Sequence, residues 1–296
     1  MKKKLNALVT YESSSDDYSE TDEQPERKKR KLPSLSSTFL TPIPMDRPEL
    51  HQGRRRTQPH VEGQWVAHVY VSLTVQRHSP LNSLIDDVLT HAQKVTPTLH
   101  DFWHGELSIK RELHISLSRP TYLRMHQKED LKKAVKELSK RFSPFPVSFA
   151  TFSELHNDER TRTFLTMETG AGHHELRAMC DALTPTLKAI RQKEFYLDPR
   201  FHSSIAWALL ETHSKRPLAN SSLGEALTGS HSIGHSSESG VDLSFPTISH
   251  LPEGLVPELN ELFSKRLSAA KTGTYDIETI TVKIGKKPYT WRLSGS

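Results

Sequence analysis

Two short segments of the sequence place a histidine and a serine two positions apart within an apolar, β-prone stretch. They are Leu113-His114-Ile115-Ser116-Leu117 and Phe201-His202-Ser203-Ser204-Ile205-Ala206-Trp207. Side chains alternate between the two faces of a strand, so the histidine and the serine of each triplet face the same way. Each segment is therefore predicted to present an imidazole beside a hydroxyl.

The His-x-Ser triplet alone does not identify a site. The chain has 17 histidines and a serine at about one position in nine, so about two matches are expected by chance, and three occur. The third, His235-Ser236-Ser237, lies in a polar tract with no strand pattern. One histidine on an apolar strand is more often a hydrogen-bonded core residue, whereas two matched strands favour a functional pair.

The two triplets supply the groups that cleavage of RNA by transphosphorylation needs. A base must take the proton of a 2′-hydroxyl, and an acid must protonate the leaving 5′-oxygen. Histidine suits both roles near neutral pH. Serine hydroxyls can donate hydrogen bonds to the non-bridging phosphate oxygens, where charge accumulates. We therefore expect a site that uses no metal or cofactor.

Composition limits the class of protein. Of 296 residues, 34% are apolar and 25% are charged, which indicates a folded core with unfolded additions. The net charge of +5 suits a polyanionic partner such as nucleic acid. The single Cys180 excludes a disulfide framework within the chain. No apolar run reaches membrane-spanning length and no secretory signal is predicted, so we expect a soluble, intracellular protein.

Two polar tracts flank or interrupt the predicted domain. Residues 1–58 are predicted to be a disordered tail in which the basic run 27–31 is typical of a nuclear localisation signal. A low-complexity tract at about 213–245 is predicted to be an insertion. The catalytic domain is therefore expected to span residues 59–296.

Strand and helix patterns alternate along that domain, which indicates an α/β or α+β fold. The predicted strands are residues 65–71, 113–118, 146–152, 161–168, 201–210, 279–284 and 289–293. The predicted helices are residues 81–90, 128–142, 175–193 with a kink at Pro185, and 257–270.

The paired His-x-Ser strands resemble the two-histidine (2H) phosphodiesterase superfamily. Three further blocks extend the likeness: residues 65–71, the tetrapeptide Thr161-Arg162-Thr163-Phe164, and the continuous stretch 195–207 that contains the second triplet. With the terminal segment 282–287, they resemble the family of U6 small nuclear RNA 3′-end processing phosphodiesterases (Usb/Mpn). The likeness spans about residues 60–210 and resumes near 245.

The resemblance implies a fold and an activity. The fold would be α+β, with two pseudo-symmetric lobes of antiparallel sheet and helices around a central groove, each lobe supplying one triplet. The activity would be 3′-to-5′ trimming of the uridine tail of U6 RNA in the nucleus, leaving a 2′,3′-cyclic phosphate. The partner would be this RNA and no membrane, and the protein is expected to be a monomer.

The resemblance also implies roles for individual residues. His114 would be the base and His202 the acid, while Ser116 and Ser204 would bind the phosphate. Tyr196 would stack on the terminal base.

Three more residues are assigned to substrate binding. They are Arg200, at a position where the family varies, and the middle residues of the triplets, Ile115 and Ser203.

Alternatives remain open at the level of sequence. A 2H cyclic phosphodiesterase that opens 2′,3′-cyclic ends would use the same histidines, and a non-catalytic RNA-binding module could keep the same fold. Tyr196 could instead cap the core at the end of a helix. The pair His173-His174 could bind metal, but neighbouring side chains point apart, so a surface pair at a helix start is favoured.

Overall fold

A computed structural model describes residues 46–56, 58–59, 61–103, 110–211 and 245–295. The basic run 27–31, His235 and residues 213–244 of the predicted insertion lie outside them. The strands are β1 Gln64–Gln76, β2 His100–Asp101, β3 Lys110–Ser116, β4 Thr121–Arg124, β5 Phe145–His156, β6 Arg162–Thr169, β7 His202–Leu209, β8 Thr274–Ile277, β9 Thr279–Ile284 and β10 Lys287–Arg292. The helices are α1 Pro80–Val95, α2 Met125–Arg141, α3 His173–Ala189, α4 Leu255–Leu267 and the short α5 Ala270–Gly273.

The strands form two five-stranded sheets whose pairings are all antiparallel. The first has the order β10-β9-β1-β3, and β4 pairs with the other end of β1. The second has the order β2-β7-β6-β5-β8. Helix α2 packs on the first sheet and α4 on the second. The α+β prediction is confirmed, and each sheet contains one of the two His-x-Ser strands.

Strand β1 shows why one face of the first sheet is apolar. Every second residue from Ala67 to Val75 is buried, and the residues between them, including His68 and Tyr70, point to the other face. This period of two is the signature of a strand with one face on the core. The opposite face of the sheet is left to polar side chains such as those of His68 and Tyr70.

The segment that follows β3 is hydrogen-bonded to β1 at the point where the pairing of β1 passes from β4 to β3. Strand β1 pairs with β3 from Tyr70 onward and with β4 up to Ala67, which leaves the backbone of Val69 between them. Its N–H donates to Ser118 Oγ at 2.9 Å, and its carbonyl accepts from the amides of Leu117 and Ser118. The chain just beyond Ser116 is thereby fixed.

The predicted unfolded tail was too long. Residues 46–56 are described, and Pro48–His51 forms a 3-10 helix. Gly53, at φ +80°, lies so close to Leu209 and Phe245 that a Cβ there would contact them at 2.5 and 2.6 Å. The guanidinium of Arg54 lies 5.1 Å from the ring centre of Trp207. These tertiary contacts order a segment that has no local periodicity.

The longest described helices, α2 and α3, have 17 residues each. None of the described helices combines the length and apolarity needed to cross a membrane.

Replacement of Ser118 by alanine should lower the free energy of unfolding by about 1–3 kcal/mol, because the Val69 N–H would stay buried without a partner. Ser118 is 1% exposed. Chemical denaturation measures the change. The matched control is Ser83→Ala on the exposed side of α1, which should cost less than about 0.5 kcal/mol. Equal effects of the two variants would contradict this account of the β3–β4 connection.

Candidate active site

The first triplet lies on β3 and faces a cleft. His114 is exposed to that cleft, Ser116 is half-buried, and both lie on the face that alternation predicts. The hydroxyl of Ser116 is 3.0 Å from Nε2 of His68 on the neighbouring strand β1. The rings of His68 and Tyr70 contact the His114 ring edge-on, with centroids 5.6 and 5.5 Å away. The His114 imidazole is therefore packed in place from the β1 side.

The second triplet begins β7. His202 and Ser204 are half-buried on the cleft face. Nδ1 of His202 is 2.6 Å from the backbone carbonyl of Arg200. A carbonyl oxygen only accepts, so Nδ1 carries the proton in this bond and Nε2 is left to face substrate. The bond fixes the orientation of the ring as well as the tautomer.

Both triplets line a single cleft of about 490 Å³. Strands β3 and β7 contact each other although they belong to different sheets, and this contact brings His114, Ser116, His202 and Ser204 to one cavity. Each sheet thus contributes one imidazole and one hydroxyl to the same space.

Burial and like charges keep the histidines of the first sheet neutral. Desolvation by the surrounding protein and the positive charges of His202 and Lys283 together lower the pKa of His114 to about 4. Burial likewise lowers the pKa of His68 to about 3, with His114 and Lys283 acting in the same direction. The neighbours disfavour imidazolium, so these rings are bases rather than acids in the free protein.

The surroundings of His202 are different. Burial lowers its pKa, but the hydrogen bond to the Arg200 carbonyl and the carboxylate of Glu168 act in the opposite direction. Glu168 is the cross-strand partner of His202 and also forms an ion pair with the guanidinium of Arg200. His202 therefore has stabilising contacts for its protonated form that His114 lacks.

Tyr196 lies at the rim of the cleft, 40% exposed. Its hydroxyl donates to Asp158 Oδ1 at 2.6 Å, and the guanidinium of Arg119 lies 3.9 Å from the ring centre. Arg119 also bonds Asp158 Oδ2 at 2.9 Å. Burial and Asp158 raise the pKa of Tyr196 to about 12. The Tyr196 ring is therefore held in place, and the Arg119 guanidinium stacks on it.

The predicted role of the Ile115 and Ser203 side chains in substrate binding is wrong. Ile115 and Ser203 are fully buried, and neither side chain lines the cleft. The reason is the alternation that exposes their neighbours: the middle residue of each triplet must point into the core. Ser203 Oγ is buried without a hydrogen-bond partner. Arg200 does line the cleft, although its guanidinium is engaged by Glu168.

The pair His173-His174 begins helix α3 and is exposed. His173 Nε2 lies 3.2 Å from the Pro199 carbonyl, behind the loop that leads to His202. Within the described ranges, no group of three or more histidine, cysteine, aspartate or glutamate side chains is placed to hold a metal ion.

Sequence reasoning missed His68, Arg119 and Asp158. His68 lies in a block that was used only for the resemblance, and its contact with Ser116 joins residues 48 positions apart. Asp158 and Arg119 lie in connecting segments and are 39 positions apart. His68 had one local signal, a polar side chain on the outward face of a predicted strand, and Arg119 and Asp158 had none.

Comparisons with known proteins match most of this chain to one family. The family model named HVSL, described as an uncharacterised conserved protein, matches residues 30–291. U6 snRNA phosphodiesterase 1 of Rattus norvegicus is 32% identical over 169 residues, which cover 56% of this chain and 58% of that protein. The enzyme of the same name from Xenopus laevis is 29% identical over 216 residues, covering 71% and 82%.

One solved structure is the Usb1 protein of Kluyveromyces marxianus, with 12% identity, a TM-score of 0.46, and coverage of 77% of this chain and 98% of that one. The matched segment spans 58% of the length of the rat relative. The family model covers most of the chain, including both triplets and the terminal strands. The chain therefore belongs to the HVSL family.

Proposed function

We propose that this protein is a 3′-to-5′ RNA phosphodiesterase that trims uridines from the 3′ end of U6 small nuclear RNA and leaves a 2′,3′-cyclic phosphate. The observation that supports this most is the meeting of two imidazoles and two serine hydroxyls in one cleft. Relatives at about 30% identity carry the name U6 snRNA phosphodiesterase. The basic run 27–31 fits a nuclear protein, and we expect a monomer.

The reaction is an internal displacement at phosphorus. The 2′-hydroxyl of the penultimate nucleotide gives its proton to one histidine and bonds to the phosphorus of its own 3′-phosphate. The bond from phosphorus to the 5′-oxygen of the last nucleotide breaks, and the second histidine protonates that oxygen. The last nucleotide leaves as a nucleoside, and the chain ends in a cyclic phosphate. No water is consumed.

The electrostatics support His114 as the base and His202 as the acid. His114 has a pKa of about 4, so it is neutral and able to accept a proton. His202 has Glu168 and the Arg200 carbonyl to stabilise its imidazolium. A bound phosphate would favour protonation further, since an opposite charge raises the pKa of an imidazole.

The serines would bind the phosphate, and His68 would position one of them. With a pKa of about 3, the His68 ring is neutral and has one N–H. If Nε2 carries that hydrogen it donates to Ser116 Oγ, which leaves the serine O–H free for a phosphate oxygen. Ser204, on the other sheet, lines the same cleft. Two donors on opposite walls suit the two non-bridging oxygens.

Tyr196 would hold the base of the departing uridine. Its ring lies on the rim of the cleft, and its contacts with Asp158 and Arg119 reduce the entropy lost when a base stacks on it. The stacked Arg119 adds a positive charge beside that position.

Alanine at either catalytic histidine should lower the rate of oligouridine trimming by about a hundredfold to ten-thousandfold while the fold is kept. The variants His114→Ala and His202→Ala should each show this, and the double variant should be little worse, because base and acid act together. The control is His235→Ala, the third triplet of the sequence, which should have no effect. A variant at His235 as damaging as His202→Ala would contradict the proposed site.

The pH profile of kcat/KM should be bell-shaped with its maximum below pH 6.5. Activity rises with pH as His114, whose pKa is about 4, loses its proton. It falls again as His202, whose pKa is also lowered, loses the proton that it must donate. Glu168→Gln removes an influence that raises the His202 pKa, so the alkaline limb should move to lower pH.

The control for that shift is Glu278→Gln, which removes a carboxylate that pairs with Arg292 as Glu168 pairs with Arg200. It should leave the profile in place. A maximum above pH 7, or an alkaline limb that Glu168→Gln does not move, would contradict the assignment of His202 as the acid.

A further inference from the structure

The catalytic cleft continues into a groove along the start of β1. A second depression of about 300 Å³ shares Val66 with the cleft, and a third of about 460 Å³ shares Gln64 and Tyr122 with the second. Val66 is apolar yet 50% exposed, at the junction of cleft and groove. We refer to the second and third depressions together as the β1 groove.

The β1 groove is positively charged. The arginine and histidine side chains that line it are Arg55, Arg56, Arg124, His126 and Arg191, and no aspartate or glutamate is among its lining residues. All five are exposed. A continuous surface with one sign of charge that opens into a reaction cleft attracts a ligand of the opposite sign.

The arginines of the groove lack the carboxylate partners that several other arginines of the described chain have. Elsewhere the guanidinium groups of Arg111, Arg119, Arg200 and Arg266 are each paired with a carboxylate. In the described residues, the guanidiniums of Arg55, Arg56, Arg124 and Arg191 form no ion pair or side-chain hydrogen bond. Four neighbouring cations are therefore left for an external anion.

Arg191 occupies a backbone conformation that favours glycine. Its φ is +55°, in the left-handed region that a residue with a Cβ rarely adopts. The bonds from its N–H to the Lys188 carbonyl at 2.9 Å and from the Gln192 N–H to the Leu187 carbonyl at 2.8 Å hold this turn at the end of α3. The turn that carries the Arg191 side chain is therefore held by backbone hydrogen bonds.

The walls of the groove are fixed to each other. The side chain of Gln192 accepts from the Tyr122 N–H at 2.9 Å and donates to the Tyr122 carbonyl at 3.1 Å. Gln127, in the first turn of α2, donates to the Ile190 carbonyl at 3.0 Å. These bonds join the end of α3 to β4 and to the start of α2, so the cations have a rigid frame.

We propose that the β1 groove binds the single-stranded RNA that lies 5′ of the cleaved linkage. This rests on the proposed function, because continuity with the cleft is what selects RNA among polyanions. The scissile phosphate would lie between the triplets, and the chain would pass Val66 into the groove. Guanidiniums bind phosphates well, and the half-buried Tyr122 ring offers a surface on which a base can stack.

Two paired variants test the groove against a matched control. Arg124→Gln with Arg191→Gln removes two cations from the depression farther from the cleft, and Arg55→Gln with Arg56→Gln removes two from the depression next to the cleft. The control is Arg77→Gln with Arg141→Gln, two exposed arginines outside the groove: Arg77 directly follows β1, and Arg141 is the last residue of α2. Thermal melting verifies that each variant folds.

The first readout is binding of a 12-nucleotide oligouridine whose penultimate residue is 2′-deoxy and therefore uncleaved. Each groove variant should raise Kd at least tenfold at low salt. It should also reduce the slope of log affinity against log salt by about 1.4, at about 0.7 per phosphate contact. The control should change neither. Polyglutamate of equal charge should compete poorly for the wild-type protein.

The second readout is the advantage of a long substrate. The ratio of kcat/KM for the all-ribose 12-mer to that for the dinucleotide UpU should fall at least tenfold in both groove variants and stay constant in the control. Unchanged ratios and affinities, equal losses in the control, or efficient competition by polyglutamate would each overturn the RNA groove. If the wild-type protein cleaves neither substrate, the proposed function fails, and the binding readout still decides the groove.

Discussion

Strand β3 is the edge of one sheet and lies against β7 of the other, and the whole site depends on this contact. In each strand, alternation commits the apolar side chains to the core and leaves the histidine and serine on the opposite face. Leu113, Ile115 and Leu117 are buried on one side of the contact, as are Phe201, Ser203 and Ile205 on the other. The stability of the core and the placement of the imidazoles are therefore consequences of one geometry.

The same contact sets the electrostatics. It brings His202 close enough to disfavour protonation of His114, and packing of His68 and Tyr70 removes water from around His114. Of the two histidines, only His202 has a carboxylate, that of Glu168, as its partner on the neighbouring strand. Two identical side chains thus acquire different proton affinities from their surroundings, which is what a base and an acid in one reaction require.

The alternation of side chains along a strand was sufficient to predict the cleft residues of β3 and β7. It could not predict contacts between segments that are distant in the sequence. His114, Ser116, His202 and Ser204 follow from a period of two, and the cleft is lined by all four. The same rule should have excluded Ile115 and Ser203, which were included and are buried. His68 reaches Ser116 only because of the register between β1 and β3, which no segment of sequence encodes alone.

The elements of the fold likewise divide into those that a local pattern predicted and those that it missed. The longer strands and helices were predicted to within five residues at each end, because each carries a full period of apolar positions. Strands β2, β4 and β8, of two to four residues, are too short to show a period and were missed. Residues 46–56 were assigned to the tail, although Gly53 and Arg54 pack against residues that follow them by more than 150 positions.

The most direct measurement of the central claim is scission of an oligouridine that carries a single 2′-deoxy residue at its penultimate position, with the 3′ terminus of each product identified by mass spectrometry. If His114 and His202 move protons for an internal displacement, the all-ribose RNA ends in a 2′,3′-cyclic phosphate and the deoxy linkage stays intact while the oligomer still binds. Scission of the deoxy linkage at the normal rate would mean that water is the nucleophile, and it would contradict the account.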